Sequence, residues 1–556
     1  MSPQTTYHNP IIPGFSPDPS IILVDGIFYL TTSTFHIFPG LPIYASRDLR
    51  KWTHIANAIS RPSQIDLSRA AMSKMPLDTG KSMVGAGGLF APTIRYNKGR
   101  FYIICTNAIV GSATKSGAGS GTGSESETEN FSLQNFIIHT DDIINSHWSD
   151  PIFIDNFHGI DPSLFFDNDN GKVYFQGCYN INRLTQPSCT IKQFEIDITT
   201  GARLSEETEI WDGHARYDTE GPHIYEVDGW YYLLVAEGGT FEHHMLCIAR
   251  SKDIWGPYED YEANPILSAD GTGEYIQNAG HGELFQDGEG GWWAVGLGVR
   301  DEGWGTGDKL GTGEFVSVLG RESFLARVEW PRGGWPRVQE GGFRMEFESD
   351  VVGVGEGGEE DGFTAPANVS DVYIRYPDLG KYTIPEDGRG AILLVPSTTG
   401  FSETQGTCTF LGRRQRSHTT VAIATLDIPT LSRGIFAGLA LYKDNLRHAS
   451  LSYNPTDRKA SLIVKTLDGE RSASDAMPID QDVKSLQFKI VSQPTGWTFS
   501  VSPTGGNSWT ELGRVSAVEF SAREMTGPIL GIFARAAAEA ETRQDAVVFS
   551  SFKIEI

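Results

Sequence analysis

The sequence predicts an all-β protein, a five-bladed β-propeller followed by a β-sandwich of jelly-roll type. Three observations carry this expectation. A hairpin signature recurs five times within residues 1–345, and a short motif precedes each copy in matching phase. Near residue 346 the texture changes to period-two alternation, with no helical period of note on either side.

The signature is a turn containing Gly followed by an aromatic-rich apolar run. It reads VDGIFYLTTS at 24–33, NKGRFYIICT at 97–106, NGKVYFQGCY at 170–179, VDGWYYLLVA at 227–236 and GEGGWWAVGL at 288–297. Glycine supplies the positive φ of a tight hairpin, and the aromatic and β-branched run is strand material. Ahead of the copies stand Pro17-Asp18-Pro19-Ser20, Ala91-Pro92-Thr93, Asp161-Pro162-Ser163, Glu220-Gly221-Pro222-His223 and His281-Gly282-Glu283. Further strand-like runs follow each copy, such as IYASRDLRKWTHI. Each unit therefore holds four strands. Five in-phase units make a propeller, whereas a sandwich would need five accidental resemblances between hairpins.

Two insertions stretch the first units. Residues 60–88 lie between blades, and 110–130 form a Gly/Ser/Thr tract expected as a mobile surface loop. Residues 346–362 read as a Gly- and acid-rich linker. The domains are then 1–345 and 363–556. Some ten alternating runs in the second, among them TTVAIATLDI, GIFAGLALYK and LQFKIVS, predict the sandwich. It holds few clustered carboxylates, so no chemistry of its own is expected.

A chain of 556 residues suits two domains. Its net charge of −25 repels nucleic-acid phosphates and anionic membranes and is indifferent to a neutral oligosaccharide. Five scattered cysteines form no metal-like pair and are expected as buried thiols. The start has no basic and apolar leader, and no run of eighteen apolar residues follows. An intracellular protein is expected, or else a trimmed form of a secreted one.

The first strand of every blade lines a propeller's central channel, so residues at one repeat phase stand around one axis. This ring is expected to hold Asp18, Ala91, Asp161, Glu220 and His281. Singly, each has a plain structural alternative. Asp before Pro forms turns, Glu220 before Gly suits an exposed turn, and His281 between glycines suits a core histidine. Together, three carboxylates and an imidazole around one cavity are costly, because like charges at close range repel. Glycoside hydrolysis needs such an arrangement, since it runs on a pair of carboxyl groups in opposite protonation states.

At this point the motifs resemble a known family. NPIIPGFSPDPSI, STFHIFPGLPIYASRDLRKW, LFAPTIRY, HGIDPSLFFD, DTEGPHIY, NAGHGEL and GRESF are similar to glycoside hydrolase family 43. More weakly, FLGRRQRSHTTVAIATLDI and MTGPILGIFARA resemble that family's C-terminal β-sandwich. The resemblance implies an exo-acting, inverting hydrolase releasing terminal β-D-xylose, α-L-arabinofuranose or both from xylan- and arabinoxylan-derived oligosaccharides. It makes Asp18 the general base, Glu220 the general acid, and Asp161 the group that tunes and orients the acid. It matches His281 to an axial histidine that lies near Ca²⁺ or a water cluster in some members. Ca²⁺ takes six or more oxygens, so neither metal nor other cofactor is expected to be required. Arg321 matches an arginine that touches sugar hydroxyls, its alternative being a surface salt bridge. Phe35, His36, Phe90 and Trp304 are expected in the pocket wall. Phe90 departs from the Trp of many family xylosidases, which leaves the sugar open.

Two alternatives differ in class. A retaining, invertase-like fructosidase would carry Asn-Asp-Pro-Asn and Glu-Cys motifs where this chain has Ser16-Pro17-Asp18-Pro19 and Thr219-Glu220-Gly221. A non-catalytic sugar-binding propeller would be expected to lack one of the carboxylates, and all three are present.

Overall fold

The computed structural model describes residues 4–556 apart from 77–81, 112–130, 146, 155, 183–184, 304–315, 351–361, 474, 504–507, 522–525 and 539–544. The tract at 112–130 and Trp304 therefore lie outside the described residues. Five antiparallel sheets form the expected blades. Blade one is Ser20–Val24, Ile27–Thr31, Gly40–Ser46 and Thr53–Ile59. Blade two is Gly88–Asn97, Arg100–Val110, Phe131–Thr140 and Ile152–Phe153, and blade three is Ile160–Phe166, Val173–Asn180, Cys189–Glu195 and Thr208–Trp211. Blade four comprises Glu220–Val227, Trp230–Glu237, Met245–Ser251 and Glu259–Asp260, with Leu267–Ser268 beside the third strand. Blade five is Ile276–Gln286, Trp292–Arg300, Glu322–Glu329 and Arg337–Val338. The hairpin turns carry Gly26, Gly99 and Gly229 at φ of 75°, 85° and 71°, as tight turns between twisted strands require.

Beneath the channel mouth, polar side chains from first strands are cross-linked in a buried layer. Arg95 of blade two meets Glu283 of blade five at 2.5 Å. The second Glu283 oxygen accepts from Ser20 Oγ at 2.7 Å and the Ile21 N–H at 3.0 Å on blade one. Arg95 also donates to His223 Nδ1 on blade four at 3.0 Å and to the Leu164 carbonyl on blade three at 3.1 Å. Burial first, and the Arg95 charge second, hold His223 well below its usual value, so its ring stays neutral and accepts. One ion pair thus touches all five blades.

Residues 346–350 of the expected linker form a strand paired with Gln4–His8, so the propeller's last turn of chain is laid against its first. Residues 351–361 of the linker lie outside the described residues. The sandwich follows as two seven-stranded sheets. Its strand Val421–Asp427 alternates between half-buried and buried positions, as does Ser485–Gln493 up to its exposed last residue, the period-two pattern read from the sequence. All five cysteines are buried free thiols. Among the described residues no helix is long and apolar enough to cross a membrane.

The sandwich is bonded to the pocket side of the propeller. Tyr373–Ile374 pairs with Ile37–Phe38, and the Arg375 N–H donates to the His36 carbonyl at 2.7 Å. Asn445 accepts from the Met72 N–H at 2.8 Å and donates to its carbonyl at 3.0 Å. Met72 leads into a hairpin, Ser73–Pro76 with Ser82–Gly85, so the insertion at 60–88 joins the two domains as well as two blades.

Replacing Arg95 by Met is expected to cost ~3–5 kcal/mol, because Glu283 would remain buried without its counter-ion. Denaturant unfolding of the propeller checks this. An exposed charge at the same position would cost less than ~1 kcal/mol.

Candidate active site

The channel mouth opens into a cavity of about 590 Å³ lined by Asp18, Phe35, Phe90, Asp161, Glu220 and His281, among others. The first strands of blades two to five break register where they reach it, between Phe90 and Thr93, Ile160 and Ser163, Glu220 and His223, and Gln277 and Gly282. Such bulges re-aim side chains. The equivalent residues are left-handed: Asp18 at φ 52°, Ala91 at 34°, Asp161 at 54°, Gly221 at 57° and His281 at 32°.

This geometry corrects the sequence alignment at one place. The blade-four residue equivalent to Asp18 and Asp161 is Gly221, and Glu220 stands one residue ahead, level with Phe90 and Ile160. The bulge is the reason, since it lets two consecutive residues reach the cavity. A Cβ at Gly221 would come within 3.1 Å of the His281 ring, so glycine gives His281 its place.

Asp161, Glu220 and His281 each bring a side-chain atom within 4.8 Å of the other two. Asp161 Oδ2 accepts from the Gly221 N–H at 3.2 Å and lies 3.8 Å from His281 Nδ1. Burial first, and the Asp18 charge second, push the Asp161 carboxyl up to about 8, against the Gly221 bond that favours ionisation. Asp18 is outside that cluster. Its Oδ2 accepts from Ser33 Oγ at 2.5 Å, and Ser33 Oγ accepts from the Ala91 N–H at 2.6 Å. Ala91, the ring position without side-chain chemistry, thus contributes its backbone.

Ser33 escaped the sequence reading, although a signal was there. The blade-one hairpin pairs Ser20 with Thr31, and continuing that register sets Asp18 opposite Ser33. Phe35 and Phe90 do line the cavity, edge to face at 5.2 Å. His36 does not. Neighbouring side chains point opposite ways, so Phe35 faces the cavity while His36, 1% exposed, packs on Tyr442 of the sandwich at 5.7 Å. Burial lowers His36 to about 4 and keeps it neutral there. Arg321 is in the cavity wall, 2% exposed, and donates to the Thr240 carbonyl at 2.9 Å. It is therefore not a surface residue. Two carboxylates and an imidazole are too few oxygens for Ca²⁺, so the cluster does not fit that ion by itself.

Residues 7–336 match the model of glycosyl hydrolases family 43, and residues 373–555 match the concanavalin A-like C-terminal domain of β-xylosidases. The chain belongs to glycoside hydrolase family 43. A non-reducing-end α-L-arabinofuranosidase of Bacteroides ovatus is 31% identical over 95% of this chain and 90% of its own. A xylan 1,3-β-xylosidase of a Vibrio species is 29% identical over 92% and 91%. The crystal structure of a xylan β-1,4-xylosidase from Bacillus halodurans superposes with a TM-score of 0.82 at 27% identity, covering 99% of this chain and all of the other. The family 43 chain is accordingly a glycosidase with a propeller and a sandwich, and the invertase-like and non-catalytic alternatives are not favoured.

Asp161 makes the site a stability burden. Its native pKa is raised, so the folded state holds a proton that the unfolded chain releases near pH 4. Stability is then lost progressively as pH rises from about 4 to about 8. Asp161→Asn is expected to raise the melting temperature at pH 8, on the order of 1–3 °C, with no gain near pH 4. Calorimetry at the two pH values checks the sign.

Proposed function

We propose that this family 43 enzyme removes terminal pentose residues, β-D-xylose or α-L-arabinofuranose, from xylan- and arabinoxylan-derived oligosaccharides by single-step inversion. The observation that carries the mechanism is the division of the carboxylates. Asp161, Glu220 and His281 crowd together, while Asp18 on blade one lies outside that cluster, near enough for its charge to raise Asp161. Inversion needs a water between base and sugar, with the two carboxyls ~6.5–9.5 Å apart.

Asp18 is the base. Ser33 occupies its Oδ2, which leaves Oδ1 to take the proton from the attacking water. Glu220 is the acid and protonates the glycosidic oxygen. Burial, and then the Asp18 charge, hold the Asp161 carboxyl up to about 8, so a proton is kept at neutral pH beside Glu220. His281 and the Gly221 N–H hold Asp161 beside the acid. Arg321 offers donors to sugar hydroxyls, and the Phe35–Phe90 corner packs on the sugar's C–H face. The steps use protein groups and water alone.

The pentose follows from the relatives, whose names include α-L-arabinofuranosidase and β-xylosidase; the two sugars present similar hydroxyl patterns to such a pocket. Glu220→Gln and Asp18→Asn are each expected to lose ~10²–10⁴-fold in kcat on an alkyl pentoside. Aryl β-xyloside, aryl α-arabinofuranoside and arabinoxylan oligosaccharides are assayed in parallel, with the first-formed anomer read by NMR. Inactivity on all three defeats the substrate assignment, and a retained anomer defeats inversion.

A further inference from the structure

The acid fixes where the leaving sugar must lie. Glu220 protonates the glycosidic oxygen, so whatever follows that oxygen rests on the Glu220 side of the cavity. Two stretches build that side, residues 180–182 and 185–188 at the end of the blade-three hairpin and residues 213–219 leading into Glu220. Asn180, Ile181, Asn182 and Asp218 line the cavity there. Ile181 is 46% exposed, and Tyr217, next to the lining residue Asp218, is 41% exposed. The Tyr217 ring edge reaches within 3.6 Å of where a Cβ of Gly239 would sit, next to Thr240 in the wall. Scattered apolar residues on a surface need no explanation. Ile181 lines the cavity and Tyr217 adjoins its lining through Asp218 and the Gly239–Thr240 corner, with the amide and carboxylate groups of Asn180, Asn182 and Asp218 in the same wall; a sugar ring takes such a surface, apolar matter for its C–H face and polar groups for its hydroxyls.

The two segments are tied to each other. The Ser188 N–H donates to the Arg216 carbonyl at 3.1 Å, and Ser188 Oγ accepts from the Asp218 N–H at 2.7 Å. The Ile181 N–H donates to the Ser188 carbonyl at 2.8 Å, and the Gly238 N–H to the Tyr217 carbonyl at 2.9 Å. Below them lies the fully buried carboxylate of Glu237. It accepts from the N–H groups of His214, Ala215 and Arg216 at 2.9, 3.0 and 3.0 Å, and from the Thr219 hydroxyl at 3.1 Å. That cradle holds a backbone in which Arg216 and Asp218 are both left-handed, at φ 60° and 47°. Burying a carboxylate is expensive unless it is hydrogen-bonded, and a mere connection between blades would not require one. What the cradled segment presents is Tyr217 outward and Glu220 inward.

We propose that Tyr217, Ile181 and Asn182 form the platform for the sugar residue on the leaving side of the scissile bond, and that Glu237 is the positioning residue that holds it. This rests on Glu220 being the acid, and assigns the enzyme to oligosaccharides over glycosides with a minimal leaving group.

The test compares two substrates of the sugar that the wild type accepts, its glycosyl fluoride and an unbranched trisaccharide. Fluoride leaves the platform empty. In Tyr217→Ala and in Ile181→Ala, the ratio of kcat/KM for trisaccharide to that for fluoride is expected to fall ~10-fold, chiefly through KM. Glu237→Gln is expected to lower the same ratio, with the loss growing as the leaving group becomes more basic, because Glu220 is displaced with the segment. Equal losses on both substrates, or an unchanged ratio, overturn the platform. A wild type that turns over neither substrate overturns the functional reading and the platform with it. Should Glu237→Gln fail to fold, the two rim variants decide alone.

Discussion

The Arg95–Glu283 ion pair is the interaction on which the site depends. Blades of a propeller touch one another mainly through apolar faces, which are tolerant of sliding and tilting. Around the axis the contacts become directional: Arg95, Glu283, Ser20, His223 and the Leu164 carbonyl bring all five first strands to one layer. The ring residues stand just ahead of that layer, Asp18 two residues before Ser20, His281 two before Glu283 and Asp161 three before Leu164. Their spacing is inherited from it. The pair is almost wholly enclosed, so its attraction is little screened by salt.

Above this layer the chain spends stability on function. The ring positions are left-handed, three of them with side chains that bear charge or an imidazole, and the first strands of blades two to five are bulged. Such backbone persists only where its surroundings over-determine it. Here the surroundings are the axial layer below and the hairpin partners alongside. Ser33 shows the second at work, since one hydroxyl holds the Asp18 carboxylate and is itself held by the Ala91 N–H. The raised Asp161 carboxyl is a further instance: its burial, and then the Asp18 charge, weaken the fold and keep a proton beside the acid.

The sandwich contributes no titratable group to the described cavity lining, and still shapes it. Its Arg375 fastens the His36 carbonyl and its Tyr442 packs on the His36 ring, which fixes the neighbouring Phe35 in the wall. Asn445 fastens Met72 at the root of the hairpin that ends in Gly85, another lining residue. The insertion at 60–88, featureless in sequence apart from its polarity, is therefore a joint between the domains.

Five copies of one hairpin signature determined the propeller by themselves, and with it the convergence of Asp18, Asp161 and His281, because a closed ring of equal units has one axis. Period-two alternation determined the sandwich for a similar reason, as each strand has one face to bury. Glu220 was legible through its motif, yet its place beside the ring rather than in it was not, since a bulge of one residue leaves no mark on periodicity. His36 shared a motif with Phe35 and went to the opposite side, a choice made by Tyr442 and Arg375 more than 330 residues away. Ser33 was within reach of hairpin register, whereas Glu237 was not: a buried acid reads like any strand-end glutamate until the segment it cradles is folded over it. Local pattern fixes which strands form and which face they bury. Bulges, opposed neighbours and the partners of buried charges are decided by what packs against them, and that is known only in three dimensions.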